Sequence, residues 1–203
     1  GMITVEEARK YYAGADAAHD FDHVLRVLAL AERIARAEGA DVEIVRTAAL
    51  LHDVGRAEER RTGRSHALIG AEKARRILEG HPPQLVEAVA HCIAAHRFRE
   101  PPAPQTLEAQ VLFDADKLDA IGAIGVARAY AMAGREGQPL WGEVPPDYQD
   151  GAADHTPVHE FRFKLSRLKD ILYTPTARRI AEERHRFMVA FFQRLEQEVR
   201  GLA

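Results

Sequence analysis

Apolar residues recur along this chain at intervals of three and four, the spacing of helices with one buried face, and runs of β-branched residues are missing. Ala, Leu, Glu and Arg, all good helix formers, dominate the intervening positions. A short helix is expected over residues 3–12. A second spans 20–38, with Val24, Val27, Leu28, Ala31, Ile34 and Ala35 on one stripe, Asp20 as its N-cap and Gly39 as its stop. Asp41 caps a third, which carries Val45, Ala48, Ala49, Leu51 and His52 and ends near Gly55. Residues 56–64 read as a charged connection. Ser65 caps the next helix, which runs to about Glu79 and is broken by Gly80-His81-Pro82-Pro83. Another covers Gln84 to about Phe98, PPAPQ at 101–105 is a linker, and Thr106 opens a long apolar helix to about Ala133. Gly, Pro and Asp gather in 134–157, which reads as a loop with the length of a lid, and helices over about 158–172 and 175–199 follow. The expected fold is all-α: one domain over 2–203, with a core at about 17–133, the loop, and C-terminal helices over 158–200.

Composition changes this picture little. The 203 residues are 46% hydrophobic and 29% charged, ordinary values for a globular protein with a sizeable core. A net charge of -3 argues against broad electrostatic capture of nucleic acid or anionic membrane. No apolar run approaches the ~20 residues of a membrane helix, and the N-terminal stretch lacks the apolar segment of a signal peptide. Cys92 stands alone, so no internal disulfide can form; a cytoplasmic location and a buried, inert thiol are expected.

Charges inside the apolar pattern change the picture more. In LLHDVG, residues 50–55, His52 and Asp53 sit between leucines and a valine. In VLFDADKLDAIGAIGVA, residues 111–127, Asp114, Asp116, Lys117 and Asp119 interrupt an otherwise apolar helix. Charges buried there need mutual pairing or a cation. His23 lies at the edge of the second helix's stripe with Val27, Leu30 and Ile34, and His96 shares a stripe with Val86, Val89 and Ile93, so both should point inward, whereas His91 should not. Imidazole and carboxylate donors together suit a divalent ion such as Mn, Fe, Zn or Mg, with Ni and Co as further alternatives. Periodicity leaves Asp114 and Asp116 as rival ligands. The bland readings are a helix-capping pair for His52 and Asp53, a hydrogen-bonded core histidine for His23, an arginine partner for Asp116 and an exposed helix start for His66.

His23, then His52-Asp53, then Asp116 within DADKLDA, in that order and on helices, resembles the H…HD…D signature of the HD-domain superfamily of metal-dependent phosphohydrolases. HDFDHVLRVLALAERIA and AALLHDVGR look like that family's first two motifs, and DADKLDAIGAIGVARAYA with the segments after it looks like one bacterial branch, the YpgQ/YedJ-like proteins. The resemblance spans most of the chain. It implies an all-α fold, chooses Asp116 over Asp114, and makes His23, His52, Asp53 and Asp116 the ligands of a divalent ion, one per chain and manganese for preference; some members of the family hold a second metal with extra histidines, for which His66 and His96 are the candidates.

Around that ion, Asp53, His96 and Lys117 are the expected catalytic residues, and Arg56, His66 and Lys117 the expected contacts to substrate phosphate. Asp119 suits a structural or ligand-supporting role. The expected reaction is hydrolysis of a nucleotide, from a (deoxy)nucleoside triphosphate to the monophosphate and pyrophosphate. The alternatives are a nucleoside monophosphatase and a non-catalytic nucleotide-sensing module. The GYP tripeptide of the cyclic-di-GMP branch is missing, and the chain is short for a (p)ppGpp synthetase-hydrolase. A small-molecule nucleotide is the expected partner, without membrane or nucleic acid, and the apolar face of the last helix suits a homodimer.

Overall fold

Thr4 starts the first helix, α1 (Val5–Arg9), by accepting the Glu7 backbone N–H on its hydroxyl; the helix is shorter than the 3–12 expected. The structure is a computed structural model that describes residues 1–14, 16–148 and 155–203. Among these there are ten α-helices, one 3₁₀ helix and no strand, so the fold is all-α. In α2 (Ala17–Glu38), Asp16 rather than Asp20 holds the N-cap position. Asp20 lies in the first turn, and both its carboxylate oxygens accept from Arg60 at 3.0 Å. Gly39 ends α2 in the left-handed region, at φ 77°. Asp41 caps α3 (Val42–Leu51) through the N–H groups of Glu43 and Ile44, as its position in the sequence requires.

The charged stretch expected to be a connection is a helix, α4 (Arg56–Thr62). It has no buried residue and therefore no apolar periodicity to reveal it. Glu58 and Glu59 in its first turn and Arg60 and Arg61 in its last complement the helix dipole. Next come α5 (His66–Ile77), starting after Ser65, and α6 (Pro83–Ala94), which begins on Pro83 at its first turn and stops four residues short of Phe98.

The single long helix expected over 106–133 is two, α7 (Leu107–Leu118) and α8 (Gly122–Glu136). The break falls at Ile121, extended at φ -129°, and Gly122, at φ 80°. A Cβ on Gly122 would lie 2.8 Å from Arg184 Cγ, and Arg184 donates to the Leu118 carbonyl at 2.5 Å, closing the end of α7. The apolar sequence runs unbroken across this turn, which hides it from a periodicity argument. Then follow α9 (Pro157–Phe163), a 3₁₀ helix (Leu165–Asp170) and α10 (Pro175–Val199), which Thr174 caps through the Ala177 N–H.

The chain forms two compact units, residues 1–116 and 117–203, with the division inside α7. In the first, α2 packs on α3, α3 on α6, α5 on α6, α4 on α5 and α1 on α3. Its core joins Val24, Val27, Ala31 and Ile34 of α2 to Val45, Ala48 and Ala49 of α3 and Val89, Ala90 and Ile93 of α6, all fully buried. Each large side chain there contributes about 1.5–3 kcal/mol by leaving water, and the alanines let the helices approach closely. In the second unit, α10 packs on α8 and on the 3₁₀ helix, and α9 on both. Trp141 is half-buried, with the Arg200 guanidinium 5.3 Å over its ring. The lid expected over 134–157 falls in part on residues 149–154, which lie outside the described residues. No helix is long and apolar enough to cross a membrane.

Candidate metal centre

The site begins where α3 ends. His52 is the C-cap of α3 and Asp53 follows it into a tight turn closed by Gly55. A Cβ on Gly55 would lie 2.4 Å from the His66 carbonyl oxygen and 3.0 Å from the Gly70 nitrogen, so only glycine lets this turn rest on the start of α5. Gly70 in turn faces Ile93 Cγ2 of α6, 3.1 Å from where its Cβ would be. These two glycines bring the first residue of α5, His66, and His96, two residues past α6, up to Asp53.

Six side chains converge there: His23, His52, Asp53, His66, His96 and Asp116. His23 Nε2, from α2, is 3.0 Å from Asp116 Oδ1 and 3.6 Å from Asp53 Oδ2. His52 Nε2 is 3.4 Å from Asp116 Oδ1 and 3.6 Å from Asp53 Oδ1. On its other side Asp53 Oδ1 is 3.5 Å from His66 Nε2 and 3.8 Å from His96 Nε2, and those two nitrogens are 2.9 Å apart. Two donor groups result, His23–His52–Asp53 and Asp53–His66–His96, with Asp53 common to both. Exposure is 0% at His52, 4% at Asp53, 2% at His66, 1% at His96 and 9% at His23, so these five are withdrawn from water.

The hydrogen bonds show why the centre fits a cation. His52 Nδ1 donates to the Ala49 carbonyl at 2.6 Å, His96 Nδ1 to the Ile93 carbonyl at 2.5 Å, and His66 Nδ1 to the Glu59 carboxylate at 3.0 Å. Each acceptor can only accept, so each ring carries its proton on Nδ1 and turns a bare Nε2 lone pair inward. Ligating histidines are held in this way. The lone pairs meet a carboxylate oxygen, Asp53 Oδ1, that has no hydrogen-bond partner, and His52 Nε2 has none either. Buried lone pairs facing one another are costly without positive charge among them. Burial alone would raise the Asp53 carboxyl, but His52, Arg56 and His23 hold it below the usual carboxylate range. His52 feels burial downward, yet Asp53 and Asp116 lift it above the usual imidazole value, so this half of the pocket attracts positive charge. Burial depresses His66, helped by Arg56, and pushes His96 down to about 3, leaving its imidazole neutral and able to donate a lone pair at physiological pH.

Other expected residues fall around this core. His66 is buried, which excludes the exposed helix start. Arg56 Nε lies 3.6 Å from Asp53 Oδ1, with its side chain 40% exposed. Asp116 supplies the carboxylate that meets His23 and His52; its rival Asp114 is fully buried on the same helix. Lys117 follows Asp116 on α7 and is half-buried. Asp119, in the second unit, pairs with Arg128 at 3.1 Å. Glu59, inside the stretch read as a connection, has no counterpart among the expected residues. The clue to it was His66 at a helix start, where the backbone offers donors only.

An all-helical fold in which buried imidazoles from four segments meet a carboxylate that follows a histidine and a lysine-flanked acid is the architecture of the HD class. The HD domain family model matches residues 20–121, and the chain belongs to that family. It is 38% identical over 188 residues to the uncharacterized protein YpgQ of Bacillus subtilis, covering 91% of this chain and 86% of that one. The crystal structure of that protein superposes with a TM-score of 0.76 at 34% identity, covering 98% of this chain and 97% of that one. Its complex with ADP gives 0.75 at 34% identity, over 98% and 96%. A predicted HD superfamily hydrolase from an uncultured Thermotogales bacterium gives 0.69 at 32% identity, over 96% and 90%. The chain is thus an HD-superfamily hydrolase, in general terms a phosphohydrolase.

Proposed function

We propose that the protein is a metal-dependent nucleotide phosphohydrolase that converts (deoxy)nucleoside triphosphates to monophosphates and pyrophosphate. The observation that carries this reading is the convergence of inward-facing Nε2 atoms on two acids, Asp53 and Asp116. The ADP bound by the Bacillus relative supports a nucleotide as the substrate class. His23, His52, Asp53 and Asp116 would hold one divalent ion, manganese for preference. When bound, such an ion polarises a phosphoryl oxygen and makes water nucleophilic near neutral pH.

The chain's own residues do the rest. His96, beside His66, contacts the phosphate or relays a proton. Arg56 and Lys117 neutralise charge that develops on the phosphate oxygens, and His66 lies where it can contact the phosphate or pass the proton on. Asp53 orients both donor groups. A cytoplasmic enzyme acting as a homodimer remains part of this reading.

A second reading, two ions sharing Asp53, is favoured by one observation. With both Nδ1 protons committed to acceptors, the neutral His66 and His96 rings cannot bridge their 2.9 Å gap with a hydrogen bond. A second cation between them would relieve that contact. Metal analysis of the purified protein separates one equivalent from two. Incubation with a panel of NTPs, dNTPs and monophosphates, with products resolved by chromatography, tests the reaction. Pyrophosphate release is expected; orthophosphate release from monophosphates would replace it with a monophosphatase, and nucleotide binding without release with a sensing module.

A further inference from the structure

Four histidines face Asp53 with Nε2, and two of them, His52 and His96, obtain their orientation from local backbone. His52 and His96 each stand just past a helix C-terminus, where last-turn carbonyls point outward, and each donates Nδ1–H to the carbonyl three residues back. His66 has no such resource. It is the first residue of α5, and a helix start presents N–H donors rather than acceptors. Its acceptor has to come from elsewhere in the chain.

Glu59 supplies it. One oxygen, Oε2, accepts from the His66 backbone N–H at 2.6 Å, from His66 Nδ1 at 3.0 Å and from Arg97 at 2.8 Å. The other, Oε1, faces Arg56 at 3.7 Å. Hydrogen bonds from His66 and the charge of Arg97 outweigh burial and hold the carboxyl below its usual range, so it is ionised and accepts only. Glu59 has this reach because the residues around it form α4, which packs on α5.

We propose that Glu59 is a positioning residue of the centre: its carboxylate fixes His66 as the Nδ1–H tautomer and so turns a bare Nε2 toward Asp53. The role rests on the reading of the centre as a cation-binding hydrolytic site, and the test separates the two. Long-range ¹H–¹⁵N spectra of the chelator-treated, ¹⁵N-labelled protein at pH 8 report which ring nitrogen of each histidine carries the proton. In the wild type, His66 should be protonated on Nδ1 and bare on Nε2. Glu59→Gln should keep that signature, because its amide oxygen can take over the acceptor role that the backbone N–H and Arg97 also demand. Glu59→Ala should move His66 toward the other tautomer while His52 and His96 keep theirs, and should weaken Mn²⁺ binding, measured calorimetrically, by about 10- to 100-fold.

Protonation of His66 on Nε2 in the wild type overturns the proposal, as does a Glu59→Ala spectrum identical to wild type. If Glu59→Ala also loses the His52 and His96 signatures, it has not folded, and Glu59→Gln decides: retention of Nδ1–H supports the role and a switch to Nε2–H overturns it. A wild type that binds no Mn²⁺ removes the hydrolytic reading, while the tautomer spectra still judge Glu59.

Discussion

Replacing Asp53 by Asn exchanges one oxygen for an amino group and removes one negative charge at nearly constant volume. Its two oxygens lie within 3.5–3.8 Å of His23, His52, His66, His96 and Arg56, so no other side chain belongs to both donor groups. Asp116 meets His23 and His52. A divalent ion that binds the native state alone, at about 100 times its Kd, stabilises it by about 2.7 kcal/mol. For a protein of this size that raises Tm by about 5–11 °C. The assay is thermal unfolding of each variant with EDTA and with Mn²⁺, each compared with its own metal-free form, which removes any change the substitution makes to the apo protein. Wild type should show the full shift, Asp116→Asn a reduced one and Asp53→Asn none. A full Mn²⁺ shift in Asp53→Asn would refute the reasoning, because the centre would then be held by something other than the carboxylate on which both groups converge.

Further outcomes follow from the same geometry. Gly55 has φ -86°, open to any residue, so the cost of Gly55→Ala is steric: a Cβ 2.4 Å from the His66 carbonyl should destabilise the fold by about 1–3 kcal/mol in urea titration and weaken Mn²⁺ binding, and a change under about 0.5 kcal/mol would show that the turn does not need the close approach. Lys117→Ala should keep the Mn²⁺-induced Tm shift and lower kcat by about 10²–10³-fold in the nucleotide assay; loss of the fold instead would make Lys117 structural. Burial raises the Cys92 thiol from 9.0 to about 12, so the unfolded chain loses its proton first as pH rises. Its contribution is present below pH 9.0 and is lost between there and about 12, by about 1.4 kcal/mol per pH unit. Denaturant titrations at pH 9, 10 and 11 should therefore show a steeper loss in wild type than in Cys92→Ala, and parallel slopes would refute a buried neutral thiol.

The amino-acid pattern by itself determined that the chain is helical, where most helices begin, and that His23, His52, Asp53, His96 and the 114–116 acids stand inside apolar faces, because a buried charge is conspicuous at a position where its neighbours are leucine and valine. Periodicity left Asp114 and Asp116 equivalent; likeness to a family chose between them, and the contacts of Asp116 with His23 and His52 are tertiary. A spacing of three and four describes one face of one helix and carries no information about which faces meet. The meeting of His66 with His96 was decided by Gly55 and Gly70, whose missing side chains let a turn, α5 and α6 touch. Helix α4 and its Glu59 were invisible for the complementary reason: a helix docked through charged side chains has no apolar stripe. The break at Gly122 was hidden because apolar residues flank it on both sides, and only the Arg184 side chain packed against that glycine shows where the chain must turn.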